Sequence, residues 1–524
     1  MVATLAALLS LAGTHTRLPF LNAHSIYYEQ YNNGDASNQG RLPFASVSKA
    51  SIDAEESTFA RPLTIQNNAP LTIEWSGLPP ATSETSTRDV IALTCDNLDW
   101  PLNEAFDVVA VPPSAALKGA GSVELPALPE LRCSYIARYV RGGAHGVILS
   151  EKRLESSSID LPRPTSVHLS FTPQRDEMLV IWVSGGGGHT SETPLVEWGL
   201  AHNALSNTVK GTSSTYHASD MCDAPANHSS PLDFIDPGAI RRVLLRGLPP
   251  STRIYYRVGG AGKLLWGEVH SFMSRRALTS SPSSLKFLMY ADQALPVPGF
   301  YAWRMTNQVV KDIEAGYDAF LLHPGDLGYA EGSGYIWDVW GGLVEPISSR
   351  IAYMVTVGNH EYDHIGKRLE PSGAPAGGWH PSWGNLGDDS HGECGVPTAA
   401  RFNGTGSAHA AVEGSNGVFW YSFEEGPVHV AVVSSEHNWT KGSRQYTWLE
   451  NDLASVNKSV TPYIVLATHR MMYTTQTHEV GDYKVSLVFR FVQRARTRLH
   501  TPPDLALTSH SILSYCAGAR SSRC

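Results

Sequence analysis

The stretch Ala319-Phe-Leu-Leu-His-Pro-Gly-Asp-Leu-Gly-Tyr329 decides the fold. Its first four residues are a short apolar run, the pattern of a strand buried on both faces. The run ends in His323, Pro324 and Gly325, and a carboxylate, Asp326, and a phenol, Tyr329, follow at once. Outward from here the layout recurs. Lys286-Phe-Leu-Met-Tyr290 leads to Asp292, Ile351-Ala-Tyr-Met-Val355 to Gly358-Asn359-His360-Glu361, and Tyr463-Ile-Val-Leu-Ala467 to Thr468-His469-Arg470. His429-Val-Ala-Val-Val433 is a further strand, and helical periodicity covers 303–315 and 444–456. Strand, helix, strand repetition implies an α/β core with functional groups gathered at the carboxyl ends of its strands.

Upstream the pattern is different. From about residue 60 to 165, short β-like runs such as Leu71-Thr-Ile-Glu-Trp75, Asp89-Val-Ile-Ala-Leu93 and Gly146-Val-Ile-Leu149 alternate with Pro, Gly and Ser clusters, which suggests a sandwich. A second set, including Val167-His-Leu-Ser-Phe171, Met178-Leu-Val-Ile-Trp-Val183, Leu195-Val-Glu-Trp198, Arg241-Arg-Val-Leu-Leu245 and Arg253-Ile-Tyr-Tyr-Arg-Val258, suggests another, of fibronectin type III character. A Ser-rich linker at 279–284 precedes the α/β region. The expected fold class is therefore α+β multidomain: a sandwich over 55–162, a fibronectin-III-like sandwich over 163–278, and an α/β domain over 284–524.

Length agrees, because 524 residues exceed one ordinary core and suggest about three domains. With 42% hydrophobic and 17% charged residues the chain is globular, and 46 Gly, 33 Pro, 13 Trp and 21 Tyr favour strands and loops over a helical bundle. A net charge of -9 and the lack of a basic run argue against nucleic-acid binding, which needs Lys and Arg against phosphates. Residues 1–13 are apolar and too short to span a bilayer, so residues 1–20 are read as a signal peptide, with no stable membrane insertion. Sequons at Asn227, Asn403, Asn438 and Asn457 fit export. The six cysteines lack zinc-site spacing and fit disulfides in an oxidising compartment. Cys95 with Cys133 is the most local pairing, and the connectivity stays open. A secreted or vacuolar location through the secretory pathway is the expectation.

Carboxylate, phenol, amide and imidazole groups at successive strand ends can converge on a pair of metal ions. Phosphate esters resist attack by water, and two cations about 3.5–4 Å apart can bind the ester, generate hydroxide and steady the leaving oxygen. Asp326 is the natural bridge. Tyr329 suits a hard ion such as iron(III), Asn359 offers a carbonyl oxygen, and His469 and His510 offer nitrogens to a divalent partner. Glu361 fits a supporting, hydrogen-bonding role, and His323 and His364 fit structural ones. Trp337, Trp340, Trp379 and Trp383 fit packing.

Asp292, Gly325-Asp326-x-x-Tyr329, Gly358-Asn359-His360-Glu361 and His469 resemble, in order and spacing, the metal motifs of the purple acid phosphatases. Met221-Cys-Asp-Ala-Pro-Ala-Asn227, Gly392-Glu-Cys-Gly-Val-Pro397, Trp420-Tyr-Ser-Phe423, Glu436-His-Asn438 and His469-Arg-Met-Met-Tyr473 resemble the large plant-type members. The resemblance implies iron(III) on Asp292, Asp326 and Tyr329. It implies zinc, manganese or iron(II) on Asp326, Asn359, His469 and His510, with His360 and His478 as outer-sphere catalytic histidines. The implied activity is acid phosphatase: a metal-bound hydroxide hydrolyses a small phosphate monoester. A homodimer is the expected assembly.

Two motifs depart from the pattern. Ala291-Asp292-Gln293-Ala294 stands where Gly-Asp-x-Gly is expected, and Ser509-His510-Ser511-Ile512 where Gly-His-x-His is expected, so Ile512 replaces an iron ligand. The segment after about residue 507 reads as a truncated end of the domain. Two other readings remain open: a phosphodiesterase or pyrophosphatase of the wider metallophosphoesterase group, and a catalytically inactive secreted binding protein.

Overall fold

The structure is a computed structural model that describes residues 71–470 apart from 83–87, 96–106, 126–134, 144–145, 155–162, 186–190, 230–232, 262–264, 279–284, 295–301, 366–378, 380–386 and 405–413. The signal peptide, Cys133, Trp383, His478, His510 and Ile512 lie outside the described residues, as does the Cys95 side chain.

The first group of elements is β1 (Leu71–Trp75), β2 (Val90–Cys95), β3 (Asp107–Ala110), α1 (Pro113–Lys118), β4 (Gly121–Leu125), β5 (Tyr135–Arg141) and β6 (Val147–Leu154). Strands β1 and β4 pair antiparallel, opposite a four-stranded antiparallel sheet of order β3-β2-β5-β6. Alternation explains the layering: Ile73 and Trp75 of β1 and Tyr135, Ala137 and Tyr139 of β5 point inward, two residues apart, into one apolar cluster.

The second group is β7 (Thr165–Ser170), β8 (Met178–Ser184), β9 (Pro194–Gly199), β10 (Asn207–Lys210), β11 (Thr212–Ser214), β12 (Ala239–Leu245), β13 (Arg253–Gly260) and β14 (His270–Met273). They form two antiparallel sheets, β11-β12-β8-β7 and β10-β9-β13-β14. The middle strand β8 is buried at every position, because its two faces meet different partners. Met178, Val180 and Trp182 pack on the facing sheet, whereas Leu179, Ile181 and Val183 pack with Tyr216, Ile240 and Val396.

The α/β part contains β15 (Leu288–Met289), α2 (Ala302–Glu314), β16 (Leu321–Pro324), α3 (Gly334–Ser348), β17 (Tyr353–Thr356), α4 (Asn359–Tyr362), α5 (Val396–Arg401), β18 (Tyr421–Glu425), β19 (Val428–Val432), α6 (Arg444–Ser455) and β20 (Tyr463–Ala467). Sheet β15-β16-β17 is wholly parallel. In β18-β19-β20 the first pair is antiparallel and the second parallel. Helix α6 starts at Ser443, whose hydroxyl accepts the Tyr446 N–H at 3.1 Å, and it buries Gln445, Trp448, Leu449, Asp452 and Leu453, one stripe at helical spacing. Helix α3 buries Ile336, Trp337, Trp340, Leu343, Val344 and Ile347 on the face that covers the parallel sheet.

The second sandwich and the α/β part share one core. Val167, Leu169, Phe171 and Phe272 cluster with Phe320, Leu322, Met354 and Tyr421, and Leu169 bridges Ala352 in parallel. Polar ties cross the same seam: Ser166 N donates to Glu345 at 2.7 Å, Tyr256 Oη to the Ser349 carbonyl at 2.8 Å, and Ser348 Oγ to the Val167 carbonyl at 2.8 Å. A disulfide joins Cys222 to Cys394 across 172 residues, fastening the second sandwich to the loop before α5.

Candidate metal centre

Parallel strands β15, β16 and β17 end side by side, so the loops after them meet above one edge. The β16 loop must turn at once. Gly325 has φ +94°, and a Cβ on it would lie 2.5 Å from the Gly358 nitrogen of the β17 loop. Gly358 is equally constrained, since its Cβ would lie 2.1 Å from Asp326 Oδ1 and 2.9 Å from His469 Nε2. The two loops can touch only because both positions lack side chains.

Glu361 locks the arrangement from beneath. Its buried carboxylate accepts the N–H groups of Asp326 and Leu327, each at 2.8 Å, and of Gly358 at 2.9 Å. Asp292, Asp326, Tyr329 and Ala294 all adopt φ between +51° and +58°, a conformation costly for residues with a Cβ and concentrated here beside one cluster.

The structure brings Asp292, Asp326, Tyr329, Asn359, His360 and His469 together. Donor atoms of Asp292, Asp326 and His469 lie within 4.8 Å of one another. Tyr329 Oη donates to Asp292 Oδ1 at 3.1 Å, and His469 Nε2 lies 2.9 Å from Asn359 Oδ1 and 3.3 Å from Asp326 Oδ1. The other His469 nitrogen, Nδ1, is 3.2 Å from the Pro324 carbonyl, which turns Nε2 into the cluster. His360 packs at a tilt beside Tyr329, with ring centroids 4.5 Å apart. Its Nδ1 is 2.8 Å from Glu331 Oε1, and its Nε2 faces Asp326 Oδ2 at 3.9 Å.

The electrostatics are those of crowded acids in a dry site. Burial pushes the Asp292 carboxyl up to about 6, and Asp326 adds to that. Burial, then Asp326 and Asp292, hold the Tyr329 phenol far above its ordinary value. Burial opposes charge on His360, but Asp326, Glu331 and Asp389 outweigh it and raise the imidazole to about 10. His469 is raised in the same sense, by Asp326 and Asp292 against burial. Such a cluster invites cations: anionic oxygens, a neutral amide oxygen and an oriented imidazole nitrogen are a hard-metal donor set, and a bound cation lets the phenol ionise.

Sequence reasoning missed the groups that support this cluster. Glu331, two residues beyond Tyr329, holds His360. Asp389 accepts the Asn359 Nδ2–H at 2.8 Å. Behind His469, the Arg470 guanidinium pairs with both Glu436 oxygens and with Asp363. Arg470 overcomes burial and holds Glu436 down at about 2. The visible signals were an acid in the same loop as Tyr329, an acid just before the quoted Gly392–Pro397 stretch, and Glu436 within the quoted Glu436–Asn438 stretch. His323 is buried under the site, with Nδ1 2.7 Å from Tyr353 Oη, and burial pushes it down to about 3. His364 sits beside the Cys222–Cys394 bridge. A separate apolar cavity lined by His168, Trp337, Trp340, Arg401 and Phe402 includes none of the clustered residues.

Residues 164–274 match the family model for the purple acid phosphatase N-terminal domain, and residues 299–511 match that for calcineurin-like phosphoesterases. The chain belongs to the purple acid phosphatase family. It is 34% identical over 392 residues to an Arabidopsis thaliana protein named probable inactive purple acid phosphatase 9, covering 68% of this chain and 57% of that one. Probable inactive purple acid phosphatase 1 of the same plant is 31% identical over 363 residues, covering 66% and 54%. The chain thus matches a little over half the length of these relatives. A Hordeum vulgare nucleotide pyrophosphatase/phosphodiesterase is 33% identical over 169 residues, covering 32% of this chain and 39% of that one. Among solved structures, purple acid phosphatase PPD1 from yellow lupin (Lupinus luteus) shares the fold, with a TM-score of 0.65, 22% identity and coverage of 82% and 75%. A purple acid phosphatase fold and a family with a binuclear metal centre frame the cluster described above.

Proposed function

We propose that the chain hydrolyses phosphate monoesters at an iron(III)–divalent metal pair. The observation that carries the reading is the meeting of Asp292, Asp326, Tyr329, Asn359 and His469, which come from four separate loops. Asp292, Asp326 and Tyr329 would hold iron(III). Asp326, Asn359 and His469 would hold zinc, manganese or iron(II), joined by His510 from outside the described residues. When bound, the two cations supply an activated water and neutralise charge on the phosphoryl oxygens.

The chain's own groups do the rest. Asp326, Glu331 and Asp389 hold the His360 ring as the doubly protonated imidazolium, with Nδ1 paired to Glu331, so Nε2 also carries a proton and faces it toward the cluster, where a leaving alkoxide would need it. The Pro324 carbonyl keeps His469 Nε2 turned inward, and Glu361 fixes Asp326 by its backbone. Tyr329 favours the purple type over the wider phosphodiesterase group, whose members generally lack it. Exposed sequon residues Asn403, Asn438 and Asn457, together with the Cys222–Cys394 bridge, support a glycosylated protein of the secretory pathway. Among the described residues no helix is long and apolar enough to cross a membrane.

The test is turnover of an aryl phosphate monoester and the matching diester by purified, iron- and zinc-loaded full-length protein at mildly acidic pH. Preference for the monoester, with activity falling at least about 100-fold in Asp326→Asn, is the expected result. Preference for the diester would shift the assignment to the activity named for the barley relative. Absence of turnover on both would place the chain with the relatives named inactive.

A further inference from the structure

Asn359 is a ligand with two faces. Its amide carries an acceptor oxygen and a donor NH2 of nearly equal shape, and only the oxygen can serve a hard cation. Turned by 180°, it would present hydrogens to Asp326 and His469. A carboxylate thirty residues away decides the matter: Nδ2 donates to Asp389 Oδ2 at 2.8 Å, while Oδ1 lies 2.9 Å from His469 Nε2. An ionised carboxylate only accepts, so the NH2 must face Asp389 and the oxygen must face the cluster.

The segment carrying Asp389 is clamped on both sides. Ser390 N donates to the Asp363 carbonyl at 2.9 Å, and Glu393 accepts Trp337 Nε1 at 3.1 Å. From the second sandwich, Cys222 N donates to the Gly392 carbonyl at 2.9 Å, Ala226 N to the His391 carbonyl at 3.2 Å, and Cys222 is bonded to Cys394. A Cβ on Gly392 would lie 2.3 Å from the Asp223 carbonyl oxygen, so the two segments are in direct backbone contact.

We infer that Asp389 is a positioning residue that selects the metal-binding orientation of Asn359, and that the second sandwich helps to hold it there. The inference rests on the two-metal reading of the site. Positioning has to be separated from a charge effect, because the negative charge of Asp389 also reaches His360.

A double-mutant cycle separates the two. Zinc is titrated calorimetrically into metal-free full-length wild type, Asp389→Ala, Asn359→Ala and the double variant, all with the disulfide formed. Asp389→Ala is expected to bind zinc about 10–100-fold more weakly, and the double variant no more weakly than Asn359→Ala alone. Where Asp389→Ala does not fold, Asp389→Ser, whose hydroxyl is too short to reach the amide, takes its place. Wild-type affinity in Asp389→Ala, or a full repeat of its loss on top of Asn359→Ala, overturns the inference and leaves the metal reading standing. No zinc binding by the wild type removes both.

Discussion

Ala294 carries φ +58° at the place where the family motif has glycine. The turn after β15 therefore keeps the shape that glycine would allow, against a left-handed penalty for alanine of about 1–2 kcal/mol. Ala294→Gly should relieve it, less the extra unfolded-state entropy of glycine, and raise stability by about 0.5–1 kcal/mol in urea unfolding. A destabilised Ala294→Gly would mean that the turn does not depend on this conformation. The substitution was legible in the sequence as a loss of backbone freedom; that the loop adopts the conformation regardless was not, because Gln293 is pinned from outside. Its N–H donates to the Asp326 carbonyl at 3.2 Å, and its side-chain oxygen accepts Trp340 Nε1 at 3.0 Å. The clustered residues were readable because each closes a strand in a short polar motif. Glu331, Asp389 and Arg470 were not, because their roles arise only when loops far apart in sequence fold against one another.

At the level of elements, α6 was readable from its apolar stripe, β1 from its alternation and β20 from its apolar run. Helix α3 was read only as Trp-rich packing. Its glycines and Pro346 obscure the helical period, and tertiary burial of Trp337, Trp340 and Ile347 outweighs the poor propensity. Helix α6 is fastened to its sheet by charge as well as packing. His429 of β19 lies 2.8 Å from Asp452 of α6 and 3.7 Å from Glu424 of β18. Burial opposes protonation, but Asp452 and Glu424 outweigh it and raise His429 from 6.5 to about 9. Because the folded value is raised, the contribution is complete below pH 6.5 and is lost as pH climbs through about 9; it amounts to roughly 3 kcal/mol. Denaturant unfolding of wild type against His429→Gln across that window should show a difference that shrinks as pH rises. A difference independent of pH would contradict the pairing.

Across the whole molecule, the sequence separated a second sandwich from an α/β part, yet the structure gives them one core. The reason is the shared apolar face: β7 packs with Phe320, Leu322 and Met354 and hydrogen-bonds to α3 as well as pairing with β8, which no strand-by-strand reading reveals. An ionic seam reinforces the joint, with Arg275 buried against Glu425, and Arg276 bridging Glu425 and Asp318. The Cys222–Cys394 bond then carries that union to the rim of the metal cluster. The sandwich is accordingly part of the frame that holds the site. The account stands on paired cations at that site, and the most direct check is elemental analysis of metal-loaded full-length protein beside Asp326→Asn. Two ions per chain in the wild type and at most one in the variant are predicted; fewer than one ion in the wild type, or equal content in both, would contradict it.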